Sequence, residues 1–314
     1  RDLIVTGVQT CALPIFTPDT TPPDPPIISS TTHPVQTEWY ASNAPVINWV
    51  GSDTSGIDNY SWLLDQSALT DPGITPMGNV TTTSYSGLAD GTWYFHARAR
   101  NSAGLWSQPA HFKLNMDITN PLVQLVGSTT HPLQTIWYSS NDPDFYWSST
   151  DTAPIIGYSY ILDQTSGTTP DTTSEGTATS TFYSDKADGI WWFHVRSKNA
   201  AGLWGAAVHF KVQIDIGPQA PVVSSSTHPD QAIWYNNNDP AFSWTCFSYS
   251  GIAGYSYVID SVATTTPDTT SEGSTPSVSY TDLTDGEKYF HVRGLSGSGV
   301  WGPTTHYRAR IDTG

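Results

Sequence analysis

Three stretches of this chain carry the same landmarks in the same order. Thr32-His33-Pro34 leads to Trp39-Tyr40, Thr130-His131-Pro132 to Trp137-Tyr138, and Thr227-His228-Pro229 to Trp234-Tyr235. His33 and His131 are 98 residues apart, and His131 and His228 are 97 apart. The same shifts relate His96, His194 and His291, and also Trp106, Trp204 and Trp301. A period of roughly a hundred residues is the length of a whole domain rather than a small solenoid unit. The chain is therefore expected to fold one domain three times.

Composition narrows the class of that domain. Only 13% of the 314 residues are charged, and 28 acids against 12 bases give a formal net charge of −16. Such a surface repels nucleic acid and anionic lipid, which excludes both as partners. The 13 Trp, 16 Tyr and 10 Phe, set among Thr and Ser, suit aromatic-cored strands of a secreted all-β protein. No stretch of 18 apolar residues exists, so no membrane insertion is expected.

Residues 1–15 stand apart. Val5-Thr6-Gly7-Val8-Gln9-Thr10-Cys11-Ala12-Leu13-Pro14-Ile15 resembles, codon by codon, a translated DNA-sequencing adapter, and it is set aside from the fold as a cloning scar would be. On this reading the true N-terminus, with any signal peptide, is missing. Cys246 then remains as one cysteine, with Gly51 and Ser149 at its repeat positions, and makes no intrachain disulfide. A buried or half-buried, unreactive thiol is expected. Lack of disulfides does not exclude secretion, because a domain of this size builds a core without them.

Pro-rich joints mark the boundaries. Asp19-Thr20-Thr21-Pro22-Pro23, Asp117-Ile118-Thr119-Asn120-Pro121 and Asp215-Ile216-Gly217-Pro218 keep the period, and Asp312-Thr313-Gly314 ends the last copy. The expected division is a remnant of a preceding repeat with its linker at 16–23, then repeats at 24–118, 119–216 and 217–314. Short joints of this composition favour an extended, semi-stiff string.

Within a repeat the pattern is strand-like and no segment has helical periodicity. Ala44–Trp49 and Asp144–Trp147 read as the second strand, Tyr158–Asp163 as the third, and Thr168–Thr173 as a loop or edge region. Short strands with frequent turns indicate a β-sandwich. The last hairpin is the best defined. A symmetric turn centred between Ala103 and Gly104 pairs Phe95 with Phe112, Ala97 with Ala110 and Trp93 with Leu114 on the core face. The other face then pairs Tyr94 with Lys113 and His96 with His111. The same register pairs Phe193 with Phe210 and His194 with His209, and Phe290 with Tyr307 and His291 with His306. A slip of one residue would place every histidine in the core.

Leu88-Ala89-Asp90-Gly91-Thr92-Trp93-Tyr94-Phe95-His96-Ala97-Arg98-Ala99, closing with Asn101-Ser102-Ala103-Gly104, resembles the last hairpin and preceding corner of fibronectin type III and bacterial immunoglobulin-like repeats. Ala187-Asp188-Gly189-Ile190-Trp191-Trp192-Phe193-His194-Val195-Arg196 carries the same motif, and the joints are similar to the Asp-Thr-Thr-Pro-Pro linkers of bacterial surface arrays. The resemblance spans nearly all of 24–314. It implies three tandem immunoglobulin- or fibronectin type III-like β-sandwiches in an extended string, at the cell surface or secreted. The third copy departs from it at Lys288, where Trp93 and Trp191 stand; either its strand begins one residue later or the lysine snorkels to the rim.

Candidate chemistry is sparse. Tyr94, His96 and Arg98, with Trp192, His194 and Arg196 and with Tyr289, His291 and Arg293, form an aromatic–imidazole–guanidinium row that would stack on a glycan or peptide. Read as sheet chemistry, the same row is a cross-strand ladder, and that is the favoured reading. The histidine pairs supply two nitrogens where zinc generally needs three or four protein ligands, so an exposed or half-exposed structural pair is expected. Thr-His-Pro is expected to set an extended lead-in to the first strands. The joint aspartates Asp19, Asp117, Asp215 and Asp312 raise calcium as a weaker reading than plain linkers, because each joint offers few carboxylates. No cofactor is otherwise expected, and no Gly-x-Ser-x-Gly, His-Glu-x-x-His or phosphate-binding loop supports catalysis. The expected function is a non-catalytic extracellular stalk, structural or adhesive, whose partners are other copies of itself, neighbouring repeats, or a surface glycan or protein. The competing reading is a set of accessory spacer or carbohydrate-binding modules of a secreted hydrolase.

Overall fold

Each repeat lays down seven strands in one order, and side-chain alternation decides which face of each is buried. The computed structural model describes residues 18–314; the adapter-like segment 1–15, with Cys11, lies outside the described residues. In the first repeat the strands are β1 (Ile27–Ser30), β2 (Trp39–Tyr40), β3 (Val46–Val50), β4 (Ile57–Asp65), β5 (Thr82–Ser84), β6 (Gly91–Asn101) and β7 (Ala110–Met116). The second has β8 (Leu122–Gly127), β9 (Trp137–Tyr138), β10 (Asp144–Thr150), β11 (Ile155–Asp163), β12 (Ser180–Phe182), β13 (Gly189–Asn199) and β14 (Val208–Ile214). The third has β15 (Val222–Ser225), β16 (Trp234–Tyr235), β17 (Ala241–Thr245), β18 (Ile252–Asp260), β19 (Ser277–Ser279), β20 (Gly286–Ser296) and β21 (Thr305–Ile311). No helix occurs among the described residues.

The seven strands form two sheets per repeat. In the first, β1-β3-β5 faces β2-β7-β6-β4, and both other repeats use the same orders. The two-residue β2 runs parallel to β7, with Trp39 opposite Asn115 and Tyr40 opposite Met116, a pairing absent from the sequence reading.

The hairpin register is as expected over its long arms. Trp93 faces Leu114, Phe95 faces Phe112, His96 faces His111 and Ala97 faces Ala110. Phe193 faces Phe210 and His194 faces His209, while Phe290 faces Tyr307 and His291 faces His306. The turn itself differs. Arg100 bridges Trp106, and the Asn101 amide donates to Leu105 O at 3.0 Å, so the ladder slips one residue and the tip centres on Ala103. The Ser107 hydroxyl accepts the Ala99 N–H at 3.0 Å at the slip. Gly104, Gly202 and Gly299 hold φ of 88°, 88° and 87° at the tip, a left-handed conformation that suits glycine.

The core lies between the sheets. Ile47, Trp49, Phe95, Phe112 and Leu114 are buried in the first repeat. Phe145 stacks on Phe193 at 4.2 Å in the second, and Phe242 on Phe290 at 4.5 Å in the third. The indole N–H groups of Trp49, Trp147 and Trp244 have no hydrogen-bond partner, so each ring serves the core by area and shape. Lys288 does not delay its strand, which begins at Gly286 as the others begin at Gly91 and Gly189. Its ammonium reaches Thr284 Oγ1 at 2.8 Å, in the place where Trp93 and Trp191 donate to Ala89 O and Ala187 O.

The Thr-rich segment covers the outer edge of the third long strand. In the second repeat Tyr158 N donates to Gly176 O and Glu175 N to Tyr158 O, both at 2.9 Å; Tyr255, Gly273 and Glu272 repeat this in the third. In the first, Tyr60, Gly78 and Met77 do so. An otherwise open sheet edge is thereby paired.

The chain divides into two compact units. One runs to Thr119 and takes in 151–154 and 199–203; the other holds 120–150, 155–198 and 204–314. The first sandwich lies in the first unit, and most of the second with all of the third lies in the other.

Candidate functional site

The outer face of the four-stranded sheet carries the candidate row, and three neighbouring strands build it. Tyr94, His96 and Arg98 alternate along β6, opposite Asp65, Leu63 and Ser61 of β4. Asp260, Val258 and Ser256 stand likewise opposite Tyr289, His291 and Arg293. The histidine is not exposed: His96, His194 and His291 are each 0% accessible. This corrects the expectation of an exposed or half-exposed pair for the inner member of each; His111 is half-exposed, and His209 and His306 are exposed. The 66–78 segment folds over this face, where Ser61 Oγ donates to Pro72 O at 2.9 Å and Arg98 pairs with Asp71 at 3.1 Å.

Each buried imidazole links a carboxylate to a second imidazole. His96 Nε2 lies 3.2 Å from Asp65 Oδ1, and His96 Nδ1 lies 2.6 Å from His111 Nδ1. The other copies have His194 with Asp163 and His209 (3.3 and 2.6 Å), and His291 with Asp260 and His306 (3.2 and 2.6 Å). An ionised carboxylate only accepts, so the central Nε2 carries a proton. A single proton then bridges the two Nδ1 atoms. The estimate for two nitrogens on one tetrahedral zinc is a separation of about 3.3 Å, so a 2.6 Å pair is a hydrogen bond and not a metal seat. Desolvation, then the charge of the facing histidine, lowers the pKa of His111, His209 and His306. On the aspartates, the Thr70 hydroxyl chiefly lowers Asp65 and the Thr265 hydroxyl Asp260. Desolvation opposes the same effect at Asp163, where the Thr168 hydroxyl outweighs it with help from Thr165 N–H and His194.

Most of the remaining row residues contact their own repeat, though Arg196 Nε and Arg293 Nε have no hydrogen-bond partner. Tyr94 stacks on His96 at 6.4 Å, and Tyr289 on His291 at 6.4 Å. Arg98 Nε donates to Ser107 O at 2.6 Å, while Arg196 and Arg293 lie 4.9 Å over Trp204 and Trp301. Trp192 is half-buried opposite Lys211. The structure thus brings all nine row residues onto the expected face, with their histidines closed off from it. The sequence reading missed Asp65, Asp163 and Asp260; their signal was the 98- and 97-residue spacing they share with the histidines.

The Thr-His-Pro landmark is a clasp rather than a simple extended lead-in. His33 is buried at a bend, its Nε2 donating to Ser42 O at 2.9 Å and its Nδ1 accepting the Thr32 hydroxyl at 2.8 Å. Thr32 Oγ1 also accepts Val46 N–H at 2.9 Å, which ties the bend to β3. Tyr40 packs on the His33 ring at 4.7 Å and its hydroxyl accepts Val35 N–H at 2.9 Å. Thr130, His131 and Tyr138 repeat the arrangement, and Thr227, His228 and Tyr235 repeat it except that His228 Nε2 has no hydrogen-bond partner.

Three of the four joint aspartates, Asp19, Asp117 and Asp215, have carboxylate oxygens occupied by protein donors. Within the first unit, Asp117 is fully buried and accepts from Ala153 N (2.7 Å), Asn199 Nδ2 (3.2 Å) and Thr119 N (3.1 Å). Asp215, also buried, accepts from Ser248 Oγ, Ser250 N and Ser250 Oγ. The Thr21 hydroxyl chiefly holds Asp19 down to about 2. Asp312 is exposed, its amide donating to Tyr235 O at 3.0 Å. Among the described residues no group of three or more His, Cys, Asp or Glu is placed to hold a metal ion. Cys246 is half-buried, its Sγ is 3.1 Å from Gln219 O, and desolvation raises its pKa, which makes it a poor nucleophile.

Two facing sheets of three and four strands, in one order three times over, define a tandem β-sandwich protein. Among solved structures the chain is similar to the chicken CNTN1 FN1-FN3 domains, at 14% identity and a TM-score of 0.30, covering 92% of this chain and 100% of that one. It is also similar to the Clostridium thermocellum CbhA fibronectin(III)-like modules, at 14% identity and a TM-score of 0.28, covering 60% of this chain and 94% of that one. No protein-family model and no curated protein matches the sequence.

Proposed function

We propose that the chain is a non-catalytic stalk that acts outside the cell, where its repeats space or present a partner and pack against neighbouring repeats or other copies of the chain. One observation carries this reading: the paired histidines and their aspartates are bonded internally in the same way in all three repeats. An enzyme needs one site; a spacer needs many like modules. The buried histidines hold strands together, the Thr-His clasps hold bends, and two of the joint aspartates are buried under N–H and O–H donors. Low charge density with acidic excess suits a soluble, non-sticking surface.

Display on a bacterial wall tests it. A tag is placed at the end distal from an engineered anchor, and antibody access is compared for one, two and three repeats. Access is expected to rise with each repeat. Equal access for one and three would overturn the spacing role.

A further inference from the structure

One sheet face of the second repeat differs from its counterparts at four positions that touch or neighbour one another. Gly127, Asp144, Tyr146 and Phe182 occupy the places of Ser29, Val46, Asn48 and Ser84 in the first repeat, and of Ser224, Ala241, Ser243 and Ser279 in the third. The three-stranded sheet brings them together. Tyr146 pairs with Gly127 on one side and Ser180 on the other, and Asp144 pairs with Phe182. Both aromatic side chains are on the solvent face, Tyr146 39% and Phe182 77% exposed.

The glycine explains the posture of the tyrosine. A Cβ at residue 127 would fall 2.5 Å from Tyr146 Cζ and Oη. The Tyr146 ring therefore lies down across Gly127, one face on the sheet and the other open to water. With any side chain at 127 the ring would swing off the sheet. Beside it is an open hollow of 520 Å³ lined by Thr129, Asp144, Tyr146, Ser180 and Phe182 among others. Asp144 is the one charged residue lining it. Desolvation would raise the Asp144 pKa, but the hydroxyls of Thr129 and Ser128 and the Thr130 amide outweigh it and keep the carboxylate ionised. The Ser128 hydroxyl and the Thr129 and Thr130 amides converge on Oδ1, while Oδ2 takes the Thr129 hydroxyl alone and keeps room for another donor.

We infer that this face binds a neutral oligosaccharide. A ring held flat presents its π-face, whose negative potential attracts the polarised C–H groups of a pyranose. A fixed carboxylate and a rim of hydroxyls match the sugar's O–H groups. The charge is complementary in one direction only: a hydroxyl-rich neutral chain is accepted, and an anionic one is repelled by Asp144 and by the net charge of −16. The site belongs to the second repeat alone, so it is independent of the stalk reading: a stalk without sugar affinity and a sugar-binding module without spacing activity give different results in the two experiments.

Isothermal titration of the full chain with cellohexaose, xylohexaose, mannohexaose and chitohexaose tests it, with hexagalacturonate as the anionic control. One site per chain is expected for at least one neutral hexamer and none for the control. Tyr146→Ser with Phe182→Ser, which installs the residues of the third repeat, is expected to weaken binding about tenfold or more, the effect of losing stacking worth about 1.4 kcal/mol. Trp192→Ala, on the opposite sheet, is expected to leave it unchanged. The inference is overturned if no neutral hexamer binds, if the double variant binds as well as the parent, or if Trp192→Ala abolishes binding. Self-association that Phe182→Ser removes, without sugar binding, would overturn it too and assign the face to a second copy of the chain.

Discussion

His96 Nδ1 and His111 Nδ1 share one proton across 2.6 Å, and the same bond recurs between His194 and His209 and between His291 and His306. The inner ring is buried and bonded at both nitrogens, while the outer ring meets solvent. The two should therefore differ in their contribution to stability. His96→Ala leaves a void and strips Asp65 of a donor, for an expected loss of roughly 2–4 kcal/mol. His111→Ala is expected to lose only about 1 kcal/mol. Urea unfolding of both variants checks this; equal losses would contradict the buried, doubly bonded inner ring.

Acid should destabilise the fold in two stages. Desolvation lowers the pKa of His131 and His228 from the ordinary 6.5, and together with the facing imidazole that of His111, His209 and His306. The unfolded chain thus binds protons that the native chain refuses. Stability is complete above about 6.5 and falls as pH drops below it. Asp65, Asp163 and Asp260 are lowered from 3.8, so their contribution is present above that value and is lost as pH falls through the native one. Urea midpoints measured from pH 8 to pH 3 are expected to fall first below 6.5 and again below 3.8. A midpoint constant from pH 7 to pH 5 would refute the first stage.

The clasp depends on a hydroxyl that both accepts and donates. Thr227 Oγ1 takes the Ala241 N–H at 2.9 Å and supplies His228 Nδ1 at 2.9 Å. Thr227→Val keeps the shape and orphans both groups, one on a fully buried ring. A loss of roughly 1–3 kcal/mol is expected. Thr227→Ser, which keeps the oxygen, should recover most of it. Thermal melting of the pair compares them, and a valine variant as stable as the serine one would remove the clasp's role.

Gly254 admits the edge-covering segment. A Cβ there would sit 2.1 Å from Ser271 Oγ and 3.2 Å from its Cβ. Gly254→Ala should push the segment from the β18 edge, cost roughly 1–3 kcal/mol, and promote association through the freed strand. Adding Ser271→Gly should restore the parent behaviour. Light scattering over a concentration series reads the effect, and a monodisperse single variant would show that the segment is not what guards the edge.

The long arms of the last hairpin were legible because two local rules meet there: alternation assigns the faces, and a turn flanked by matched apolar residues assigns the register. Phe95 opposite Phe112 follows from those rules alone. The pairing next to the turn was misplaced by one residue because the slip near Ser107 depends on a hydroxyl taking over an amide, which alternation does not encode. The Asp65 partner of His96 is 31 residues away, on a strand whose register the hairpin does not set.

The sequence by itself determined that one sandwich is written three times, that its histidines recur at fixed places with the paired ones on one sheet face, and that the joints recur with it, because periodicity and pleat are properties of the chain. Tertiary structure alone decided which of those histidines see water. A returning loop covers His96, a third strand supplies its carboxylate, and a bend closes over His33. Burial is set by what folds back over a residue, and neighbours in sequence do not specify that. The same holds for the flat Tyr146 on Gly127: nineteen residues separate them in the chain, and only strand pairing makes them one surface.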